Sequence, residues 1–136
     1  MSYATAAPLQ AAIYARLSGD AALQALVGAA VHDAVPPGTP PGTFVVVGQG
    51  ETIDRSDVTT AAAEHRLKIS VVSAASGFQT AKAVAGAVSD ALLARPEPVL
   101  AQGRVVGVWF HRAEATRVRS TGARRIDLTF RVLVED

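Results

Sequence analysis

The sequence predicts a two-layer α+β domain: a four-stranded, mainly antiparallel sheet with helices packed on one face, in the order α-α-β-β-α-β-β. Three patterns carry this expectation. Residues 64–73 alternate polar and apolar with a period of two, as a half-buried strand does. Residues 126–134 do the same, with Ile126, Leu128, Phe130, Val132 and Val134 on one side. Between them, Phe78, Ala81, Ala85, Val88 and Leu92 fall on one helical stripe. Helices covering one face of an antiparallel sheet give a two-layer domain, and 136 residues make one such domain, 1–136.

The elements follow in order. Leu9, Ile13 and Leu17, four residues apart with Ala12 beside them, predict a first helix over Pro8–Leu17, and Pro8 suits its first turn. Ser18-Gly19-Asp20 breaks it. Asp20 then caps a short helix, Ala21–Val27, ended by Gly28, with Leu23 and Leu26 or Val27 toward the core. Ala34–Thr43 holds four prolines and two glycines and reads as an extended connector. Phe44–Val47 is a short strand buried on both faces. Gly48–Ala63 reads as a long polar link, and links of that length are often functional.

After the strand Glu64–Ser73, Ser76 and Gln79 have capping-box spacing for a helix running to about Ala94. Val84 and Ala91 flank its stripe, and Gly86 weakens it while allowing close approach to a sheet. Arg95-Pro96-Glu97-Pro98 stops it. Arg104–Thr116 is a strand. Arg119-Ser120-Thr121-Gly122 is a hairpin turn in which Gly122 takes positive φ, and the strand through Val134 returns.

Composition excludes several chemistries. Hydrophobic types make up 49% and charged types 18%, so the chain is not of the disordered class. The apolar share is 27 Ala and 18 Val with only 7 aromatics, so large core anchors are scarce. No Cys means no disulfide, no thiolate nucleophile and no Cys-ligated metal. The net charge of +1 sets up no global field for nucleic acid or a membrane surface. No apolar run approaches bilayer length and residues 1–10 do not read as a signal peptide, so a soluble cytoplasmic protein is the expectation.

Catalytic patterns are weak. His32, His65 and His111 show no metal-ligand spacing, so neither metal nor cofactor is expected. Gly48-Gln49-Gly50 follows a strand as a dinucleotide loop does, but no apolar helix follows it. Asp54 and Asp57 could pair for acid–base work, although their loop offers little to desolvate them. The last hairpin is basic, with Arg112, Arg117, Arg119, Arg124, Arg125 and Arg131. No interleaved aromatics make a stacking platform, so protein contact or solvation is preferred to nucleic acid.

One strand asks for a partner. In Arg104–Thr116 both faces are apolar, Val106, Val108 and Phe110 one way and Val105 and Trp109 the other. If helices cover one face, a neighbouring subunit or the N-terminal helix must cover the second. Trp is enriched at interface hot spots, which singles out Trp109 with Val105.

The ordered set Leu9–Leu17, Leu23–Val27, Val31–Pro36, Phe44–Gly48, Glu64–Ser73, Gly77-Phe78 and Arg124–Val132 resembles small phage tail-terminator or tail-completion proteins. It is most similar to the versions in alphaproteobacterial gene transfer agents, and the likeness spans nearly the whole chain. The resemblance implies a structural, non-enzymatic subunit of a homo-hexameric ring. That ring caps the tail tube, stops its elongation and meets the neck, while DNA passes through its lumen without specific binding. Its partners would be its own copies, the tube protein and a neck or connector protein, with no membrane. Assembly would take place in the cytoplasm, before the subunit joins the tail of the particle. A ring needs two different complementary patches on each subunit. Trp109 with Val105 is the candidate for one. Asp54, Arg55 and Asp57 of the polar link and Arg119 and Thr121 of the hairpin tip are candidates for tube or neck contact. The rival readings are another neck or head–tail connector part, and a small-molecule enzyme using Asp54, Asp57, His65 and His111.

Overall fold

The computed structural model describes residues 3–34, 42–48 and 50–136. Most of the proline connector expected at Ala34–Thr43 lies outside them. The order is α1 (Ala6–Gly19), α2 (Ala21–Val27), β1 (Val31–His32), β2 (Thr43–Val47), β3 (Glu51–Asp54), β4 (Ala62–Ser73), α3 (Gln79–Leu93), β5 (Arg104–Arg117) and β6 (Arg124–Glu135). The strands form one six-stranded sheet in the order β1-β2-β4-β6-β5, with β3 pairing β4 beside that path. Only β1 and β2 run parallel. The α+β class stands, but the expected four strands become six, because β1 and β3 are too short to show a hydrophobic period.

The centre of the sheet is the ladder between β4 and β6, paired without interruption from Ala62↔Glu135 to Ser73↔Arg124. Its rungs place His65, Leu67, Ile69 and Val71 beside Val132, Phe130, Leu128 and Ile126 on one face. That face carries all three helices. Leu9, Ile13 and Leu17 of α1, Leu23 of α2, and Ala81, Val84, Ala85, Val88, Ala91 and Leu92 of α3 close over it as one core. Fully burying a Val, Leu, Ile or Phe side chain is worth about 1.5–3 kcal/mol, so this cluster is the main source of stability.

Local signals explain most helix ends, and two expectations are corrected. The Asp20 carboxylate caps α2 by accepting from the Leu23 N–H at 3.0 Å. Leu23 and Val27, four residues apart, face inward, whereas Leu26 turns to solvent. The Ser76–Gln79 capping box is not formed. Gly77 at φ +78° turns the chain, and the helix begins after Phe78 with no side-chain cap. Gly86 faces solvent, with nothing within 4 Å of a Cβ built on it. The small residues that let α3 lie close to the core are Ala81, Ala85 and Ala91.

The polar link expected over Gly48–Ala63 is in part a strand. Val47 pairs with Ile69 and Glu51 with Arg66, so β2 gains one residue on β4 between these two pairs. This is a bulge that joins β2 and β3 into one row along β4. The Gly48 N–H donates to the Lys68 carbonyl at 2.7 Å. A Cβ on Gly50 would lie 2.0 Å from the Arg66 carbonyl oxygen. The glycines serve close backbone approach, and no dinucleotide-loop helix follows them.

Two substitutions in opposite senses check this account by urea denaturation. Gly86→Ala, in a solvent-facing helix interior, is expected to stabilise by about 0.5–1 kcal/mol. Gly50→Ala must push backbone apart and is expected to destabilise by about 1–3 kcal/mol.

Candidate interface site

β5 lies at the sheet edge with β6 as its one strand neighbour among the described residues. Its pairing with β6 shifts twice, between Val105 and Gly107 and between Phe110 and Arg112. These bulges at Val106 and His111 change which side chains share a face. Val105 pairs with Val134, Val108 with Val132 and Phe110 with Phe130, all toward the helices. Trp109 pairs with Arg131 on the opposite face. The expectation that Val105 and Trp109 form one patch is therefore corrected: Val105 is buried in the core, and the extra residue at 106 puts Trp109 on the other side. The expected grouping of Val106 with Val108 and Phe110 fails for the same reason.

The apolar residues of this edge remain uncovered. Trp109 is 46% exposed, Phe110 48% and Val106 39%. Burial of Trp109 by the N-terminal helix does not occur, because α1 lies on the opposite face of the sheet. The indole folds back over Gly107, where an added Cβ would stand 2.7 Å from its ring. On its other flank the Arg131 guanidinium lies 5.9 Å from the ring centroid, a cation–π contact of about 0.5–1 kcal/mol at an exposed site. Arg131 Nε is buried without a hydrogen-bond partner among the described residues.

Trp109 forms one wall of a cleft of about 410 Å³ on the helix-free face. The opposite wall is the loop between β3 and β4, with Arg55, Asp57 and Thr60; Glu64 and Leu133 lie in the floor. The structure thus gathers three of the expected residues, Trp109, Arg55 and Asp57, about one concavity. Asp57 holds its own loop, accepting from the Thr59 and Thr60 N–H groups at 2.8 and 2.7 Å. These bonds keep its carboxyl below the usual range. Asp54 is held low in the same way by the hydroxyl and N–H of Ser56. Glu64 accepts from Arg66 at 2.9 Å and faces Arg55 at 3.6 Å, and the Arg66 bond leads in lowering its pKa. Glu64 was not singled out in the sequence; its outward position was readable there, but its meeting with Arg131 and Trp109 depends on register.

Arg119 and Thr121 lie apart, at the β5–β6 hairpin tip. Gly122 there has φ +73° as expected. Thr121 borders a separate groove of about 710 Å³ with Phe44, Val46, Val72 and Arg125. The arginines of the hairpin do not form one basic face. Arg124 lies over the Phe78 ring on the helix side, 5.5 Å from its centroid. On the other side Arg125 bonds Asp127 at 2.9 Å, and Arg112 meets Glu114 at 3.3 Å. Burial alone would raise the Asp127 pKa, but the bonds from Ser70 and Arg125 outweigh it and lower it.

The candidate acid–base residues do not converge. His65 is 3% exposed on the helix side. Its Nε2 is 3.0 Å from Thr5 Oγ1 and its Nδ1 is 2.9 Å from Thr52 Oγ1. It ties the start of α1 to β3, while His111 stands on exposed β5. Among the described residues no three His, Asp or Glu side chains are grouped to hold a metal. No described helix is long and apolar enough to cross a membrane.

Burial lowers the His65 pKa below the ordinary histidine value of 6.5. The unfolded chain therefore takes up the proton first, so stability is full above about pH 6.5 and falls as pH drops toward the folded value. The carboxylates with lowered values lose their contribution only below the ordinary Asp and Glu values of 3.8–4.5. Urea midpoints should fall between pH 7.5 and 5 in the native chain and change less in His65→Gln. In a separate test, Gly107→Ala should displace the indole and shift Trp109 fluorescence, the chain's sole tryptophan signal, while the far-ultraviolet dichroism stays native.

Comparison with known proteins gives a consistent answer. The family model described as "Tail completion protein gp17" matches residues 11–135. A solved chain from "Virion of native gene transfer agent (GTA) particle" is 56% identical and superposes with a TM-score of 0.91, covering 99% of this chain and 100% of that one. A comparison with curated proteins found no match.

Proposed function

The chain belongs to the tail completion protein gp17 family, and from that premise we propose that it is a tail terminator of a gene-transfer-agent particle. The family match and the virion neighbour together support a structural component of the tail of a phage-like particle. On this proposal, copies of the chain close into a homo-hexameric ring on the end of the tail tube. The ring blocks further addition of tube protein and offers its other side to the neck. The observation that carries this reading is the 56% identity, over essentially the full length of both chains, to a chain of a particle of that kind.

The geometry supports a ring subunit in two respects. A closed heterologous ring needs two unlike surfaces on each copy. The exposed β5 edge and the β3 strand with its loop lie at opposite edges of one sheet. A channel for DNA must also not hold it, since phosphate neutralisation by many cations binds tightly. Arg112 and Arg125 carry their own carboxylate partners, and the hairpin arginines point to both faces of the sheet, so no continuous cationic wall results. The subunit would assemble in the cytoplasm and remain in the finished tail.

Deleting the gene tests the assignment. Electron microscopy of the mutant should show tails of uncontrolled length, or heads that fail to join tails. Free tails of normal length would instead make the protein a connector and overturn the terminator role.

A further inference from the structure

Four strands span the sheet at the end that holds Trp109. The registers run level across it: Glu51 opposite Arg66, Arg66 opposite Arg131, and Arg131 opposite Trp109. Two rows further out, on the same face, Ile53, Glu64, Leu133 and Gly107 are level. β3 and the Gly107–Phe110 part of β5 are thus the two edges of one four-strand band, β3-β4-β6-β5. Successive strands in it are antiparallel, so β5 runs opposite to β3.

We propose, on the reading that the protein closes a ring, that Gly107–Trp109 of one copy pairs antiparallel with Glu51–Ile53 of the next copy, Trp109 facing Glu51 and Gly107 facing Ile53, continuing the sheet from subunit to subunit. Three features select a second copy as the occupant. The first is length. The bulges at Val106 and His111 leave a regular stretch of four residues on β5, and β3 is four residues long. Bulges protect a long edge from indiscriminate pairing; here they leave a short window open.

The second is charge. β5 carries Arg104, Arg112 and Arg117 against Glu114, while β3 and its loop carry Glu51, Asp54 and Asp57 against Arg55. Pairing β5 with another β5 would set basic strand against basic strand. Pairing β5 with β3 sets opposite signs together. The third is shape. A copy added at the same level brings Ile53 beside Gly107, over which the Trp109 indole lies. The exposed Trp109 and the half-buried Ile53 of the next copy then cover each other. The Glu51 carboxylate arrives beside the Trp109–Arg131 pair.

The chain has no cysteine, so single-cysteine variants report contacts cleanly. His111→Cys and Glu51→Cys are mixed as full-length proteins and treated with a short bismaleimide. This is done at a concentration where light scattering shows an oligomer, or on particle tails if the free chain shows none. The expected result is a covalent dimer in the mixture, identified by mass as one copy of each variant, and no dimer from either variant alone. Ile53→Lys should weaken assembly at least tenfold with an unchanged melting profile. A dimer of His111→Cys alone would overturn the proposal in favour of β5 meeting β5. Oligomers that give no mixed dimer would overturn the edge pairing and leave the ring standing. Failure to find any homo-oligomer, free or on tails, would remove the ring reading and this proposal with it.

Discussion

The twelve-rung ladder between β4 and β6 is the constraint on which the rest of the structure depends. It joins segments some sixty residues apart in the chain and decides which face each side chain takes. A slip of one residue would exchange Leu67, Ile69, Phe130 and Val132 for Arg66, Lys68, Arg131 and Thr129 on the helix side. Burying those charges is far too costly for the alternative register to compete. Once the ladder is set, α3 has an apolar floor. The β2–β3 row has a backbone to follow along β4, and β5 has one strand to pair with. The cleft beside Trp109 is a by-product of the same ladder, since Glu64, Leu133 and Arg131 meet only in this register.

The interior that the ladder creates suits the composition. A core made largely of Ala and Val packs through short distances, which is why Ala81, Ala85 and Ala91 line the face of α3 turned to the core. The larger residues Leu9, Ile13, Leu17 and Phe130 fill the remaining volume. Polar groups sit among them as well, His65 the largest. His65 is tolerated because both ring nitrogens meet threonine hydroxyls, and buried polar groups without partners are the costly ones. It also links α1 to β3, a strand that has little apolar surface of its own.

How far the sequence was legible depended on whether each pattern was local. β4 and β6 were readable because alternation survives in an antiparallel strand with one buried face. The buried stripes of α1 and α3 were readable for the corresponding helical reason. β3 was not, because Ile53 is its sole large apolar residue and its place is set by backbone contact at Gly48 and Gly50. Those glycines were visible, but their purpose lay in the Arg66 and Lys68 carbonyls across the bulge. Strict alternation groups Val105 with Trp109, but the bulge at 106 adds one residue without changing composition, so alternation counts one position too far. The candidate site was half legible for the same reason. Trp109, Arg55 and Asp57 could be picked out one by one as unusual, whereas their convergence, and the part played by Glu64, required the register.

β5 uses its apolar residues differently from the rest of the chain. In the central strands nearly every large side chain is inside. Along β5 the chain's lone tryptophan and Val106 stay exposed on the helix-free face, and Phe110 stays half exposed on the helix side. Fold stability does not account for that placement, because covering the same residues would bury more apolar area. Solubility argues against it, since clustered surface apolar groups favour association. The placement is consistent with a strand shaped for association, and the two bulges are consistent with association of a limited kind. They interrupt the edge where a continuous fourteen-residue strand would invite uncontrolled pairing. For a subunit whose family completes tails, a restricted edge is the useful one. It permits contact with a matched neighbour and discourages the open-ended strand addition that would turn a closed assembly into a filament.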